Sequence, residues 1–294
     1  MLALKSEIRW SHSPFRLQSA DMIDPEILAY YEHGLEQKRL SADQRRIEFL
    51  RIWDLLERYL PTAPARVVDV GGGAGVYALP LAAAGYEVHL IDPVPLHVEQ
   101  AEAASHAASA PLASTAVGDA RALDAEEASA DAVLLLGPLY HLTDRDDRIK
   151  ALREARRVLR PGGVVLAKAL SRFYPLFEDI ALGTPVEQDE FEKNITFLAD
   201  GQYRNPGGDP TQFTTSYFHR PEDLAEEVQE AGLEMRALVG ASGSVKLLPQ
   251  LPERLKEPGQ RKRVLDLLRL LENEPSILGM SQNFVAIGQA PSAP

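Results

Sequence analysis

The sequence has no cysteine among its 294 residues. Disulfide bonds, thiolate metal ligands and cysteine nucleophiles are therefore excluded, and a cytoplasmic location is the expectation that suits this composition. Long apolar runs are also missing. Charged side chains interrupt the N-terminal segment before a signal-peptide core could form, and no later segment reaches the ~18 to 20 apolar residues of a membrane span. We expect no membrane partner.

Basic side chains are scarce relative to acidic ones, since 31 Lys and Arg oppose 43 Asp and Glu, for a net charge of −12. Nucleic-acid binding draws its affinity from clustered Lys and Arg, so no nucleic-acid partner is expected. His89 lies in a predicted strand and His33, His97 and His106 on predicted helices, with no role assigned to them and no pair at the spacing of a metal site, so no metal is predicted. The apolar share of 45% is typical of a globular chain with a substantial core.

Strands and helices alternate from residue 66 onward. Short β-rich runs, separated by segments with helical periodicity, lie at 66–70, 86–92, 111–119, 131–137 and 163–170. The last two runs are nearly continuous in apolar residues, as is typical of strands covered on both faces. This alternation predicts right-handed crossovers and a parallel sheet with helices on both sides, the doubly wound α/β class.

Two regions fall outside the alternation. Residues 1–60 are predicted to form an N-terminal helical cap, and residues 61–290 the main domain. Residues 171–220 interrupt that domain after the fifth strand and hold nine of the twenty aromatic residues. Because this insert leaves the carboxyl end of a strand, we expect it to fold over the site as a lid; the alternative is that its aromatics form a small separate core.

A glycine-rich turn follows the first strand in the stretch VVDVGGGAG, residues 67–75. The phosphate loop of nucleotide hydrolases needs Lys and then Ser or Thr after its second glycine, but Val76 and Tyr77 stand there. The dinucleotide fingerprint G-x-G-x-x-G is met at Gly71 and Gly73 and missed at Val76. An NAD-dependent oxidoreductase is therefore weakened as an interpretation but stays open.

Asp69 precedes the glycines and completes D-x-G-x-G-x-G with Gly71, Gly73 and Gly75. This pattern resembles the first motif of class I S-adenosylmethionine-dependent methyltransferases, and the resemblance continues in register through RPGG at 160–163 to the closing strands LEMRALVG and NFVAIGQ. It implies a Rossmann-like, mostly parallel sheet of seven strands with an antiparallel last strand. It also implies cofactor binding at the carboxyl ends of the first four strands, where open α/β sheets generally bind ligands.

The resemblance also assigns cofactor contacts. Asp92 ends the second strand and would hold the ribose hydroxyls, since a carboxylate offers two acceptor oxygens. Asp119 and Ala120 match the turn that contacts the adenine. In the N-terminal cap, Tyr31 and Arg39 are candidates for binding the cofactor carboxylate. The residues predicted to bind S-adenosylmethionine, with S-adenosylhomocysteine as product, are Asp69, Gly71, Gly73, Gly75, Asp92, Pro93, Asp119, Ala120, Leu136, Gly137, Tyr31 and Arg39.

Methyl transfer needs alignment of acceptor, methyl carbon and sulfur together with exclusion of water, so no nucleophilic residue is required. A hydroxyl or ammonium acceptor needs a base, and His141 in GPLYHL, after the fourth strand, is the candidate, with Tyr140 as a competing one. The alternative is a packing or capping histidine. GPLY also lacks the Asn or Asp, Pro-Pro, aromatic pattern of nucleobase-methylating enzymes, which favours a small-molecule acceptor.

Two further alternatives stay open from the sequence. A noncatalytic methyltransferase-like regulator would carry the same cofactor-binding pattern without turnover. A homodimer is compatible with the composition.

Overall fold

The computed structural model describes residues 23–32, 46–182, 195–205 and 213–292. Its helices are α1 (Pro25–Glu32), α2 (Arg46–Tyr59), α3 (Ala78–Ala83), α4 (Pro95–Ala107), α5 (Arg145–Val158), α6 (Tyr174–Leu182), α7 (Pro221–Glu230), α8 (Leu251–Lys256) and α9 (Pro258–Leu271). Its strands are β1 (Arg66–Val70), β2 (Glu87–Asp92), β3 (Ser114–Val117), β4 (Ala130–Leu135), β5 (Leu159–Ser171), β6 (Gln202–Tyr203), β7 (Ser216–His219), β8 (Glu234–Gly240) and β9 (Asn283–Gln289).

Seven of these strands form the main sheet, in the order β3-β2-β1-β4-β5-β9-β8. Neighbours from β3 to β5 are parallel, whereas β9 runs antiparallel to both β5 and β8. The predicted doubly wound sheet with an antiparallel last strand is therefore confirmed. The insert adds a short extension that the prediction did not contain: β7 pairs with Leu170 and Ser171 at the end of β5, and β6 pairs with β7.

Helices cover both faces of the sheet, and β1 shows how alternate residues divide between them. Val68 and Val70 belong to a core shared with α5 and α7, whereas Val67 belongs to a second core shared with α2, α3 and α4. Because side chains alternate along a strand, Asp69 lies on the same face as Val67. The helix α2 of the predicted N-terminal cap thus packs directly on the sheet, on the face that carries Asp69.

A buried ion pair ties the insert and the loop after β4 to the helices behind them. Arg148 of α5 and Glu227 of α7 are 2% and 1% exposed, and the guanidinium donates to the carboxylate at 2.8 to 3.1 Å. The same guanidinium donates to the carbonyl oxygens of Leu142 and Thr143 at 2.9 and 3.0 Å. Its carbon lies 3.8 Å from the ring centroid of Tyr217 in β7. This single side chain therefore fixes four segments.

Among the helices that the structure describes, none combines the length and the apolar composition needed to cross a membrane.

Replacing Arg148 with Ala is expected to reduce the free energy of unfolding by about 3–5 kcal/mol, because the buried carboxylate of Glu227 loses the guanidinium and keeps only the contact with Nε2 of His219. The matched control is Arg145→Ala, which removes a half-exposed pair between the same two helices, Arg145 with Glu230, and should cost about 0–1 kcal/mol. Urea denaturation followed by circular dichroism measures both. Equal losses in the two variants would contradict the role given to Arg148.

Candidate active site

A cavity of about 730 Å³ opens at the carboxyl ends of β1, β2 and β4. The crossover after β1 leads to β2 on one side of β1, whereas the crossover after β3 leads to β4 on the other side. The two connections therefore run in opposite directions from this point of the sheet. Such a reversal leaves a crevice between the ends of the strands, which is where open α/β sheets bind ligands. The cavity lies at the position that the sequence predicted.

The glycine turn forms the floor of this cavity. Gly71 and Gly73 have φ angles of +68° and +56°, in the left-handed region that glycine adopts without strain. A Cβ on Gly71 would lie 2.8 Å from Cδ of Pro138, so only glycine lets the turn approach the segment after β4. Apart from Gly73 itself and its two chain neighbours, no described residue has an atom within 4 Å of the position that a Cβ on Gly73 would take. The turn thus presents bare backbone to the cavity at Gly73.

Asp92 fixes the conformation of that turn from the end of β2. Its Oδ2 accepts a hydrogen bond from the Gly73 amide at 2.8 Å, and its Oδ1 accepts from the Val94 amide at 3.0 Å. The Nδ1 of His97 lies 3.1 Å from the same Oδ1. A carboxylate has about four lone-pair positions, so Asp92 keeps acceptor capacity for a ligand hydroxyl. The sequence placed His97 on a helix without a role, and the structure brings it to this carboxylate.

Asp69 is a buried carboxyl group beneath the glycine turn. It is 1% exposed, and in the described part of the chain its Oδ2 has no hydrogen-bond partner. Burial, together with the nearby charge of Asp92, raises the pKa of Asp69 to about 7. An orphaned acid oxygen beside a cavity is a site where a ligand N–H group or a positive charge would be stabilised.

The third acidic residue, Asp119, follows β3 and takes part in an ion-pair chain along the rim. Its carboxylate accepts from the guanidinium of Arg121 at 2.7 Å, and Arg121 also donates to Asp147 of α5 at 2.6 Å. All three residues line the cavity. These ion pairs join the turn after β3 to the start of α5.

Three aromatic residues and a histidine meet beside the loop after β4, and the ring of Tyr31 also contacts that of His97 at 5.1 Å. The hydroxyl of Tyr31 in α1 lies 2.7 Å from Nε2 of His141, and the two rings are in an edge contact. Tyr140 follows β4 in a 3-10 turn, and its ring centroid lies 4.6 Å from that of His141. Phe213, from the predicted lid insert, lies 5.9 Å from the His141 ring. The cap, the loop after β4 and the insert therefore converge on His141.

One pair of charges in the cavity was not predicted from the sequence. Lys168 of β5 donates to Oε1 of Glu48 in α2 at 2.7 Å, and both side chains line the cavity together with Tyr77. Lys168 stands alone as a charge within the apolar run GVVLAKAL. A lone charge in a strand buried on both faces is a signal of a polar contact or a functional site, and it could have identified this lysine.

The structure brings most of the predicted site residues together. Those that line the cavity are Asp69, Gly71, Gly73, Asp92, Pro93, Asp119, Ala120, Leu136, Gly137, Tyr31, Tyr140 and His141. Gly75 is buried under the turn beside Leu79 and is not among the lining residues. Arg39 lies outside the described residues. Among the described residues, no group of three or more His, Cys, Asp or Glu side chains is arranged to hold a metal ion.

A family model described as a methyltransferase domain matches residues 67–163, which run from β1 into β5. A ubiquinone biosynthesis O-methyltransferase of Methylocella silvestris is 34% identical over 43% of this chain and 49% of its own length. A ubiquinone/menaquinone biosynthesis C-methyltransferase of a Caulobacter species is 29% identical over 68% of this chain and 81% of its own length. The chain spans about half the length, or less, of the first curated relatives it matches, from 42% to 49%.

A solved structure from Thermotoga maritima, described as an S-adenosylmethionine-dependent methyltransferase and possible histamine N-methyltransferase, shares the fold. It has a TM-score of 0.55 and 19% identity, and the match covers 89% of this chain and 99% of that one. At this level of identity the likeness establishes the Rossmann-like α/β fold. The match of the family model, together with this fold, confirms the resemblance predicted from the sequence.

The raised pKa of Asp69 predicts how stability depends on pH. The folded chain holds this proton up to a pH of about 7, whereas the ordinary value is 3.8, so the wild type loses stability as the pH rises through this range. Asp69→Asn cannot ionise, and its stability relative to the wild type should increase by ~2–4 kcal/mol between about pH 4 and pH 8. Denaturant unfolding at a series of pH values measures this.

Glu99→Gln is the control for this experiment, since Glu99 is an exposed carboxylate on α4. It should follow the wild type at every pH. A difference between Asp69→Asn and the wild type that stays constant with pH would show that Asp69 is already ionised in the folded chain.

Proposed function

We propose that this chain is an S-adenosylmethionine-dependent methyltransferase. The premise is that residues 67–163 form a methyltransferase domain of the class I, Rossmann-like type. Its acceptor is a small molecule, and the methyl group moves by direct in-line displacement. The observation that carries the proposal is the hydrogen bond from the Gly73 amide to Asp92, beside a turn that presents bare backbone to the cavity. The names of the two relatives, an O- and a C-methyltransferase of quinone biosynthesis, support a small acceptor.

The residues present fit the proposed cofactor. The backbone of the glycine turn would receive its methionine portion, and the unpartnered Oδ2 of Asp69 suits the positive charge that this portion carries. Asp92 would hold the ribose hydroxyls, and Asp119 the adenine end. When bound, the cofactor supplies a methyl group activated by its attachment to a positively charged sulfur. The protein has to orient the acceptor and exclude water.

His141 is the proposed base for an acceptor that must lose a proton. Its Nε2 lies 2.7 Å from the hydroxyl of Tyr31, and this contact fixes the orientation of the ring. Efficient proton transfer requires a base that is held within hydrogen-bond reach of the reacting group. In this proposal Tyr31 is a positioning residue for His141, rather than a ligand of the cofactor.

The insert of residues 171–220 is proposed as the lid of the acceptor pocket. The position of Phe213 beside His141 supports this, as does the carbonyl oxygen of Thr215, which lies 3.5 Å from Nδ1 of His141. The N-terminal cap would close the other side through α1 and α2. A cytoplasmic location and a homodimer stay predictions from the sequence.

Asp92→Ala is expected to weaken the binding of S-adenosylhomocysteine by at least about tenfold, because the variant loses the ribose acceptor and the tie to the Gly73 amide. Isothermal titration calorimetry measures the affinity. Glu87→Ala, at the exposed start of the same strand, is the matched control and should bind as the wild type does. Unchanged affinity in a folded Asp92→Ala would show that this carboxylate does not hold the cofactor.

His141→Ala should lower the rate of methyl transfer by about 10² to 10⁴, the usual contribution of a general base, without changing the affinity for S-adenosylhomocysteine. The rate is measured with whichever member of an acceptor panel the wild type methylates. Tyr31→Phe should retain part of the rate and change its pH profile, because Nε2 of His141 loses its contact with the hydroxyl of Tyr31. Full activity of His141→Ala would assign the histidine to packing. His106→Ala, on the exposed end of α4, is the control.

A further inference from the structure

The ion pair between Lys168 and Glu48 has no part in the proposed function as stated above, although it lies inside the cavity. Lys168 is 7% exposed. An ammonium group has three N–H donors, and the described residues supply one hydrogen-bond acceptor to it, the carboxylate of Glu48 at 2.7 Å. A buried ammonium that lines an open cavity with remaining donors can bind an oxygen of a ligand.

The charge state of Lys168 follows from its surroundings. Burial by itself lowers its pKa, but the carboxylate of Glu48 and the phenol groups of Tyr140 and Tyr77 raise it, and the net shift is above the ordinary value. Lys168 therefore stays an ammonium group and cannot accept a proton from the acceptor. Burial and the charge of Glu48 likewise raise the pKa of Tyr77, which stays a neutral phenol. Both groups are hydrogen-bond donors.

The order of the strands places Lys168 at the acceptor end of the cavity. Asp92 and Asp119 follow β2 and β3, on one side of β1, while Lys168 lies on β5, two strands away on the other side. With the ribose and adenine proposed at Asp92 and Asp119, the acceptor would lie on the side of β4 and β5. Tyr140 lies between Lys168 and His141, because its ring centroid lies 5.7 Å from Nζ of Lys168 and 4.6 Å from the ring of His141.

We propose that Lys168 binds the reacting oxygen of the acceptor, and that the acceptor is a phenol, which presents this oxygen as an oxyanion. This inference rests on the proposed function. The rings of Tyr31, Tyr140 and His141 line the cavity and meet edge to face, with Phe213 tilted against His141, and aromatic faces and edges of this kind suit a ring. The phenol gives its proton to His141, the oxygen forms the bond to the methyl carbon, and the sulfur keeps the electron pair of the bond that breaks.

Glu48 opposes the effect of Lys168 on the acceptor oxygen. Its carboxylate compensates the charge of Lys168 while the cavity holds no acceptor, and it also cancels part of the field that the acceptor oxygen experiences. Removal of Lys168 should therefore raise the pKa of a bound phenol, whereas removal of the charge of Glu48 should lower it. A purely structural ion pair would produce neither effect.

The test uses 4-nitrophenol, whose phenolate and phenol forms differ in colour, bound to the protein saturated with S-adenosylhomocysteine. In the wild type, the pKa of the bound probe should fall by about one unit or more below that of the free probe, because an ammonium lies against its oxygen. In Lys168→Met it should return to the free value or rise above it. In Glu48→Gln it should fall below the wild-type value. Absorbance titrations measure all three.

Two controls keep the result interpretable. Lys150→Met removes an exposed lysine of α5 and should leave the pKa of the bound probe unchanged. Lys168→Met removes the ammonium group that Glu48 contacts, a change that can unfold the chain. The double variant Glu48→Gln/Lys168→Met, which removes both charges, is therefore measured beside it. The double variant should bind the probe with a pKa near the free value.

Three results would overturn the inference. A probe that does not bind to the wild type, or that keeps the pKa of the free probe when bound, would reject a phenol as the acceptor. A pKa of the bound probe that stays at the wild-type value in Lys168→Met and in the double variant would reject Lys168 as the group that binds its oxygen. Weakening of S-adenosylhomocysteine itself by tenfold or more in the double variant would assign Lys168 to the carboxylate of the cofactor. Failure of the wild type to bind S-adenosylhomocysteine is a different outcome, because it rejects the proposed function and the inference together.

Discussion

The carboxylate of Asp92 is the group on which the rest of the site depends. Located at the end of β2, it accepts from the Gly73 amide and the Val94 amide and contacts His97. These contacts join the turn after β1 to the start of α4. The left-handed conformations of the turn are open to glycine, but a flexible turn has no fixed shape unless its amides are bound. Asp92 provides that constraint at the Gly73 amide, next to the bonds that the Gly71 and Gly72 amides donate to the carbonyl oxygen of Ile91.

Acidic and basic groups of the site lie at different strands of the sheet. Carboxyl groups gather at the ends of β1, β2 and β3, where Asp69 is so poorly solvated that its pKa rises to about 7. The buried ammonium of Lys168 lies on β5, on the other side of β1. In our account a cationic methyl donor occupies the acidic half, and the oxygen of the acceptor faces the ammonium. Fixed charges of this kind need no reorganisation during the reaction.

Much of the fold could be predicted from the sequence because its strands are short apolar runs bounded by turns. The residues of β1 are those of the run RVVDV. The turn RPGG was predicted to precede the fifth strand, but it lies within β5, since Leu159 pairs with Ala130 before the register shifts. The small strands β6 and β7 were not predicted. Pairing with the last residues of β5 holds β7 in place, and a local pattern does not contain that contact.

The site residues likewise comprise some that the sequence predicted and others that it missed. Residues next to a strand end, such as Asp92 and His141, were predicted because the end of a parallel strand fixes their position. Lys168 was missed because its partner Glu48 lies 120 residues away in the chain, and only packing of α2 on the sheet joins them. His97 was interpreted as an ordinary helix residue, because its contact with Asp92 depends on the direction in which α4 leaves β2.

The central claim is that the glycine turn admits S-adenosylmethionine. Thermal unfolding of the same preparation with S-adenosylhomocysteine and, in parallel, with NAD tests it most directly, because a ligand that binds only the folded chain must raise its stability. The account predicts that S-adenosylhomocysteine raises the midpoint of unfolding with increasing concentration and that NAD leaves it unchanged. Stabilisation by NAD and not by S-adenosylhomocysteine would contradict it.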